Sequence, residues 1–345
     1  MIPSYIRAAA LVGFAACASI AAAQNVKIIP LGSHDGELCN RDRAMILEDP
    51  SGVRILFDAG QSVTGGDDAR LGAVHVVLVS HAHGDHLGDQ RLKAVGAGTC
   101  GNPEIVSAAP NTTTGEIAAA KNAGIVMIAQ MANFLGRKVE AISGKPTAAC
   151  PARNGDEHTV PFAAPCVAGN NLGGARTFRT ATATRGVEIT LVPASHDSTV
   201  SRSLLNEAER KDLEADNLSL TLGPPSGYVI RFTNGLVVYF TGDTAIHADM
   251  KTVVHDFHKP SVMVLNLGIS SLTSASGAYL VNDLIQPATV ILTHVNEAGT
   301  TGGKIRPGSR TEQLVGLVKG RPVHLAVSGR TIELDGSGKC VAGCS

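Results

Sequence analysis

Ser80-His81-Ala82-His83-Gly84-Asp85-His86 follows directly on the apolar run Val74–Val79, and this junction decides how the chain reads. The run is apolar except for His75, which suits a strand buried on both faces. Behind it, three histidines and one carboxylate fall within the six positions from His81 to His86. Imidazole and carboxylate are the side chains that suit zinc and similar divalent ions. Crowded together, they would be costly to bury without a cation. Gly84 gives the loop freedom to turn and to aim its neighbours at two centres. A solvated polar loop is the alternative, and it gives no reason for this crowding.

Three residues further along share the same placement. His196 follows Ile189–Val192, Asp243 follows Leu236–Phe240, and His294 follows Val290–Thr293. Each stands just past the C-terminal end of an apolar run, as His81 does. Taken singly, each is an ordinary loop residue as readily as a ligand. If the strand ends meet at one rim, all of them converge, and rim loops on a rigid scaffold are where function sits.

The runs between these points read as strands. Val26–Leu31, Ala44–Glu48 and Val53–Phe57 are hairpin-like, with Asp49-Pro50-Ser51-Gly52 as a turn. Val187–Val192, Gly227–Thr233, Leu236–Phe240, Val262–Leu267, Val290–Thr293 and His324–Val327 continue the set, and Asn234-Gly235 marks a tight hairpin. Helices are expected over Thr114–Lys121, Ser276–Leu284 and Thr311–Val318. Residues 144–185, rich in Gly, Ala, Asn, Thr and Pro, read as a long surface insertion. Many strands, few helices and a mixed order predict a layered α/β domain over 24–345.

Composition narrows the function. The chain has 345 residues, 44% hydrophobic, with no Trp and only 3% aromatics, so its core rests on Val, Ile, Leu and Ala. The formal charge is −1, with no basic stripe, which argues against a nucleic-acid partner. Neither a GxSxG nucleophile elbow nor a Walker-type phosphate loop occurs. The N-terminus reads as an export signal over 1–23: Arg7 precedes the small apolar stretch Ala8–Ala23, and Ala21-Ala22-Ala23 is an A-x-A cleavage site. An uncleaved anchor, or lipidation at Cys17, is the alternative. Cleavage would leave no stable membrane span and would place the chain in the periplasm or outside the cell. Six cysteines then remain: Cys39, Cys100, Cys150, Cys166, Cys340 and Cys344. Cys150–Cys166 and Cys340–Cys344 are the local pairs, leaving Cys39 with Cys100; six cysteines allow fifteen pairings, and free buried thiols are the other reading.

The HxHxDH string, the later lone His196, Gly242-Asp243-Thr244 and Thr293-His294 together resemble the metallo-β-lactamase superfamily. Phe57-Asp58-Ala59-Gly60 is similar to that family's early Asp motif, and Gly242-Asp243-Thr244-Ala245 with Asp249-Met250-Lys251 looks like the branch of ascorbate-6-phosphate lactonase-like hydrolases. The resemblance implies a four-layer αββα sandwich of two mixed sheets. It implies two divalent ions, zinc or else manganese or iron, with His81, His83 and His196 on the first, Asp85, His86 and His294 on the second, and Asp243 bridging. Asp58 would hydrogen-bond a ligand histidine. Such a pair of ions shares a hydroxide that attacks a small-molecule ester, lactone, lactam or phosphoester, and Asp85 would orient it and shuttle its proton. A nucleic-acid-processing hydrolase of the same fold and a non-catalytic metal-binding protein are the competing readings. Of the remaining polar residues, His34 and Asn296 are candidates for the pocket wall, Ser198 and Ser201 are available hydrogen-bonders, and His247, His255 and His258 are expected in an exposed stretch.

Overall fold

The computed structural model describes residues 25–268 and 272–344, so the expected export signal and Cys17 lie outside the described residues. Among them, the apolar runs form two eight-stranded sheets. In spatial order the first holds Cys166–Val167, Gly124–Ile125, Val76–Leu78, Arg54–Phe57, Met45–Glu48, Val26–Pro30, Ile332–Leu334 and Cys340–Ala342. The second holds Glu157–Val160, Ala175–Thr180, Val187–Pro193, Ser226–Arg231, Val237–Phe240, Val262–Asn266, Thr289–Thr293 and Val323–Leu325. Both are mixed: Arg54–Phe57 pairs parallel with Val76–Leu78 but antiparallel with Met45–Glu48, and Val237–Phe240 pairs parallel with Val262–Asn266 but antiparallel with Ser226–Arg231.

The period-2 geometry of a strand explains how the layers form. Along Val262–Asn266, Val262 and Val264 join the core between the sheets, whereas Met263 and Leu265 face the opposite way into a second cluster. That second cluster includes Met250 and Val254 from the helical segment Met250–His258, Ala278, Leu280 and Val281 from the segments Ser274–Tyr279 and Leu280–Ile285, and Leu314 from Arg310–Leu317. On the far side, the helices Thr113–Lys121 and Ala129–Ser143 pack on the first sheet, and Ile117, Met131, Phe134, Leu135 and Val139 join its core. The result is helix, sheet, sheet, helix. At the centre, the Phe57 ring lies 4.9 Å from Phe240 and 6.1 Å, edge-on, from Tyr228. The Tyr228 hydroxyl donates to the Val79 carbonyl at 2.7 Å, tying the second sheet to the strand that feeds His81.

The 144–185 segment differs from the surface insertion expected. It supplies Glu157–Val160, Cys166–Val167 and Ala175–Thr180, which extend both sheets. Its apolar residues are too widely spaced to read as strands, yet Val160, Phe162, Cys166 and Phe178 are all buried. Cys150 and Cys166 are bonded across this segment, as are Cys39 with Cys100 and Cys340 with Cys344. Closing the 61-residue separation of Cys39 and Cys100 restrains the unfolded chain most. The chain-entropy relation puts its stabilisation at about 4 kcal/mol. The Ser276–Leu284 helix is instead two consecutive segments, Ser274–Tyr279 and Leu280–Ile285, the second wound more loosely. Met250–His258 is helical rather than an exposed stretch, because Met250, Val254 and His258 repeat at four-residue spacing and are buried.

Candidate metal centre

Strand direction brings the candidates to one rim. Val187–Pro193 and Val237–Phe240 both pair antiparallel with Ser226–Arg231, so they run the same way, and Val262–Asn266 and Thr289–Thr293 run parallel to them. His196, Asp243, Asn266 and His294 therefore all stand at C-terminal strand ends of the second sheet. In the first sheet, the parallel strands Arg54–Phe57 and Val76–Leu78 end side by side, setting Asp58 next to Ser80. Two of these residues, Asp58 (φ 41°) and His294 (φ 47°), hold a left-handed backbone that non-glycine residues rarely adopt. Such strain is kept where the surroundings over-determine a functional position. Here the Asp58 amide donates to Leu78 O at 3.0 Å and the His294 amide to Asp42 O at 3.1 Å.

The side chains converge as three overlapping groups whose donor atoms lie within 4.8 Å of one another: His81, His83 and His196; His81, His86 and Asp243; and Asp85, His86 and His294. His81 Nε2 lies 2.9 Å from His83 Nδ1, and His86 Nε2 lies 3.1 Å from His294 Nε2. Asp243 Oδ2 stands between the clusters, 3.5 Å from Nε2 of both His86 and His294 and 3.9 Å from His196 Nε2. All seven residues expected at this site are thus together. Gly84 serves differently from expectation: it begins the single helical turn Gly84–Leu87, and a Cβ on it would run into the Asp89 carboxylate.

The outward ring nitrogens of His86 and His83 are held as well. Asp58 accepts from the Ser80 amide at 2.8 Å and from the Ser80 hydroxyl at 2.9 Å, and its Oδ2 lies 2.8 Å from His86 Nδ1. His83 Nε2 lies 3.1 Å from Asp197 Oδ2, which leaves Nδ1 facing the cluster. Asn266 donates to Asp243 Oδ1 at 2.9 Å. Arg43 donates to Asp85 Oδ2. Carboxylate partners of this kind fix the tautomer and orientation of metal-binding imidazoles.

The donor chemistry fits divalent cations. Burial holds His81 well below the usual imidazole range, so the ring stays neutral with one nitrogen lone pair to offer, and burial likewise lowers His196. Burial acts to raise Asp85 and Asp243, but Arg43 and His86 beside Asp85, and His294 and His86 beside Asp243, outweigh it and keep both carboxylates ionised. His86 is the exception. Burial would lower it, yet Asp243, Asp58 and Asp85 together push it up to about 10. Among the described residues His294 Nδ1 is buried without a hydrogen-bond partner, while its Nε2 faces His86, Asp85 and Asp243.

Comparison with known proteins agrees with this geometry. The family described as the beta-lactamase superfamily domain matches residues 53–295, which takes in every residue of the cluster. The chain belongs to the metallo-β-lactamase superfamily. Among superfamily relatives, a UPF0173 metal-dependent hydrolase of Archaeoglobus fulgidus is 29% identical over 220 residues, 64% of this chain and 65% of that protein. Another, from Cupriavidus taiwanensis, is 28% identical over 68% of this chain and 62% of its own length. The match thus spans slightly less than two thirds of these relatives. The solved structure of Igni18, a metallo hydrolase from Ignicoccus hospitalis, covers 90% of this chain and 99% of its own with a TM-score of 0.52 and 20% identity, a likeness of fold.

Several parts of this superfamily site went unread in the sequence. Arg43, Asp197 and Asn266 carry no motif; only their positions beside a strand end or directly after His196 hint at them. Ser198 takes a structural part, accepting from the Ala82 amide at 3.2 Å. His34 contacts Ser33 and Gly98 instead of the cluster, Asn296 is a turn residue (φ 52°) donating to Gly268 O, Ser201 pairs with Ser203, and His255 meets Ile285 O. Asp58→Asn tests the support beneath His86. The amide keeps the size but loses the charge, and metal affinity is expected to fall about 10- to 100-fold by titration, with the circular dichroism spectrum unchanged.

Proposed function

We propose that the chain is a hydrolase that binds two divalent cations, at His81, His83 and His196 and at Asp85, His86 and His294, with Asp243 shared between them. The observation that carries this reading is the convergence of seven donor side chains from four strand ends within 4.8 Å groupings. Zinc suits these donors, and manganese or iron is compatible with them. When bound, such cations supply the Lewis acidity that activates water and stabilises an anionic tetrahedral or phosphoryl transition state. The protein's part is to hold the donors in place. Asp58 and Asp197 turn His86 and His83 toward the site, and Asn266 keeps Asp243 Oδ2 pointed inward by holding Oδ1. Asp85 is the most open of the seven, with 36% of its side chain exposed, so it is placed to meet solvent and substrate together. Its ionised carboxylate orients the attacking water and accepts a proton from it.

The substrate class we infer is a small ester, lactone, lactam or phosphoester. A near-neutral chain without a basic stripe supports a small molecule over a nucleic acid. Three bonded cysteine pairs support an oxidising location, the periplasm or the exterior. No helix among the described residues is long and apolar enough to cross a membrane. The test is a hydrolysis panel across those four bond types with the isolated protein, then after chelation, then after metal is restored. Turnover that is lost and regained with metal supports the reading. Full metal occupancy with no turnover across the panel favours a non-catalytic metal-binding protein. Salt-sensitive binding of RNA or DNA favours nucleic-acid processing.

A further inference from the structure

We propose that Arg43 makes the two metal positions unequal, so that a cation at His81, His83 and His196 is held firmly while one at Asp85, His86 and His294 exchanges readily. The inference rests on the two-cation reading above. Arg43 precedes the strand Met45–Glu48, and only 2% of its side chain is exposed. Its guanidinium donates to Asp85 Oδ2. That same oxygen stands 3.7 Å from His86 Nε2 and 3.6 Å from His294 Nε2, so it is the atom offered to a second cation. The place for this arginine is built: its stem fills the room beside Gly60, where a Cβ would come within 3.0 Å of Arg43 Cδ.

An arginine does not give up its proton in a protein, so this charge is permanent. Seated on the donor oxygen itself, it repels an incoming dication and competes for the oxygen's lone pairs. The other group is backed in the opposite sense, since His83 leans on the Asp197 carboxylate at 3.1 Å. Asp58 offsets part of the repulsion, but from the far side of the His86 ring, whereas Arg43 touches the ligand atom itself.

The experiment is a zinc titration of the chelator-stripped full chain in competition with a chromophoric chelator. Wild type is expected to bind in two steps separated by at least roughly 100-fold, and dialysis is expected to remove the weaker equivalent. Arg43→Gln and Arg43→Met, which remove the repelling charge, are expected to tighten the second step by about 10- to 100-fold, while Arg43→Lys, which keeps the charge, stays near wild type. Equal steps in wild type overturn the proposal whatever the variants do. So does a second step that is unchanged or weaker in the Gln and Met variants, which would make Arg43 a support for Asp85 alone. A wild-type chain that takes up no zinc overturns the two-cation reading itself, and the two failures are thereby distinguished.

Discussion

Asp243→Ala is expected to lower kcat/KM for any substrate the panel identifies by about 10²- to 10³-fold, the scale seen when one preorganised electrostatic group is removed from an active site. Asp243 is the carboxylate that reaches both groups, with one oxygen 3.5 Å from His86 and His294 and 3.9 Å from His196. Without it, two cations would face each other with Asp85 as the single carboxylate among their ligands, and their mutual repulsion would be poorly offset. Metal content should therefore fall along with turnover. Steady-state kinetics and elemental analysis on the same preparation check both. An alanine variant that keeps full metal and full turnover would remove Asp243 from the site.

The second large effect is on stability. Phe57→Ala is expected to cost about 3–5 kcal/mol in chemical denaturation, the usual result of emptying a buried aromatic site. Phe57 is fully buried at the meeting of the two sheets, against Phe240 and Tyr228. Against a typical total of about 5–15 kcal/mol, such a loss leaves a marginal protein. Phe57 also directly precedes Asp58, so the cavity lies under the carboxylate that grips Ser80 and His86. Metal affinity should weaken with the fold. A loss below about 1 kcal/mol would mean that the sheets are held together elsewhere.

These effects follow a division between what the sequence states locally and what only the fold states. The histidine string announces itself because its donors are neighbours in the chain. His196, Asp243 and His294 could be placed because each follows an apolar run, and parallel strand direction makes such positions share a rim. Arg43 and Asp197 are different. Each acquires its role from a partner brought up by folding, 42 residues away for Arg43 and Asp85 and 114 residues away for Asp197 and His83. The helices divide similarly. Thr113–Lys121 has a clear start at Thr112, whose side chain accepts from Gly115 N. Ala129–Ser143 begins after Ile128 without a side-chain cap, and its signal lies only in the spacing of Met131, Phe134, Leu135 and Val139. Glu207–Ala215 shows the reverse: Asn206 and Glu209 form a capping box, but no residue of the helix is buried, so no apolar stripe marks it. In 144–185, burial comes from scattered residues and a disulfide, and neither makes a periodic pattern.

The cluster around His81 and Asp243 carries the donors of a cage for divalent cations. Elemental analysis of the freshly isolated full chain, alongside His81→Ala, tests it most directly. About one to two equivalents of zinc, manganese or iron per chain are expected in wild type, and substantially less in the variant. A wild-type chain that emerges metal-free and stays so after exposure to each of these ions, or a variant with undiminished metal, would contradict it.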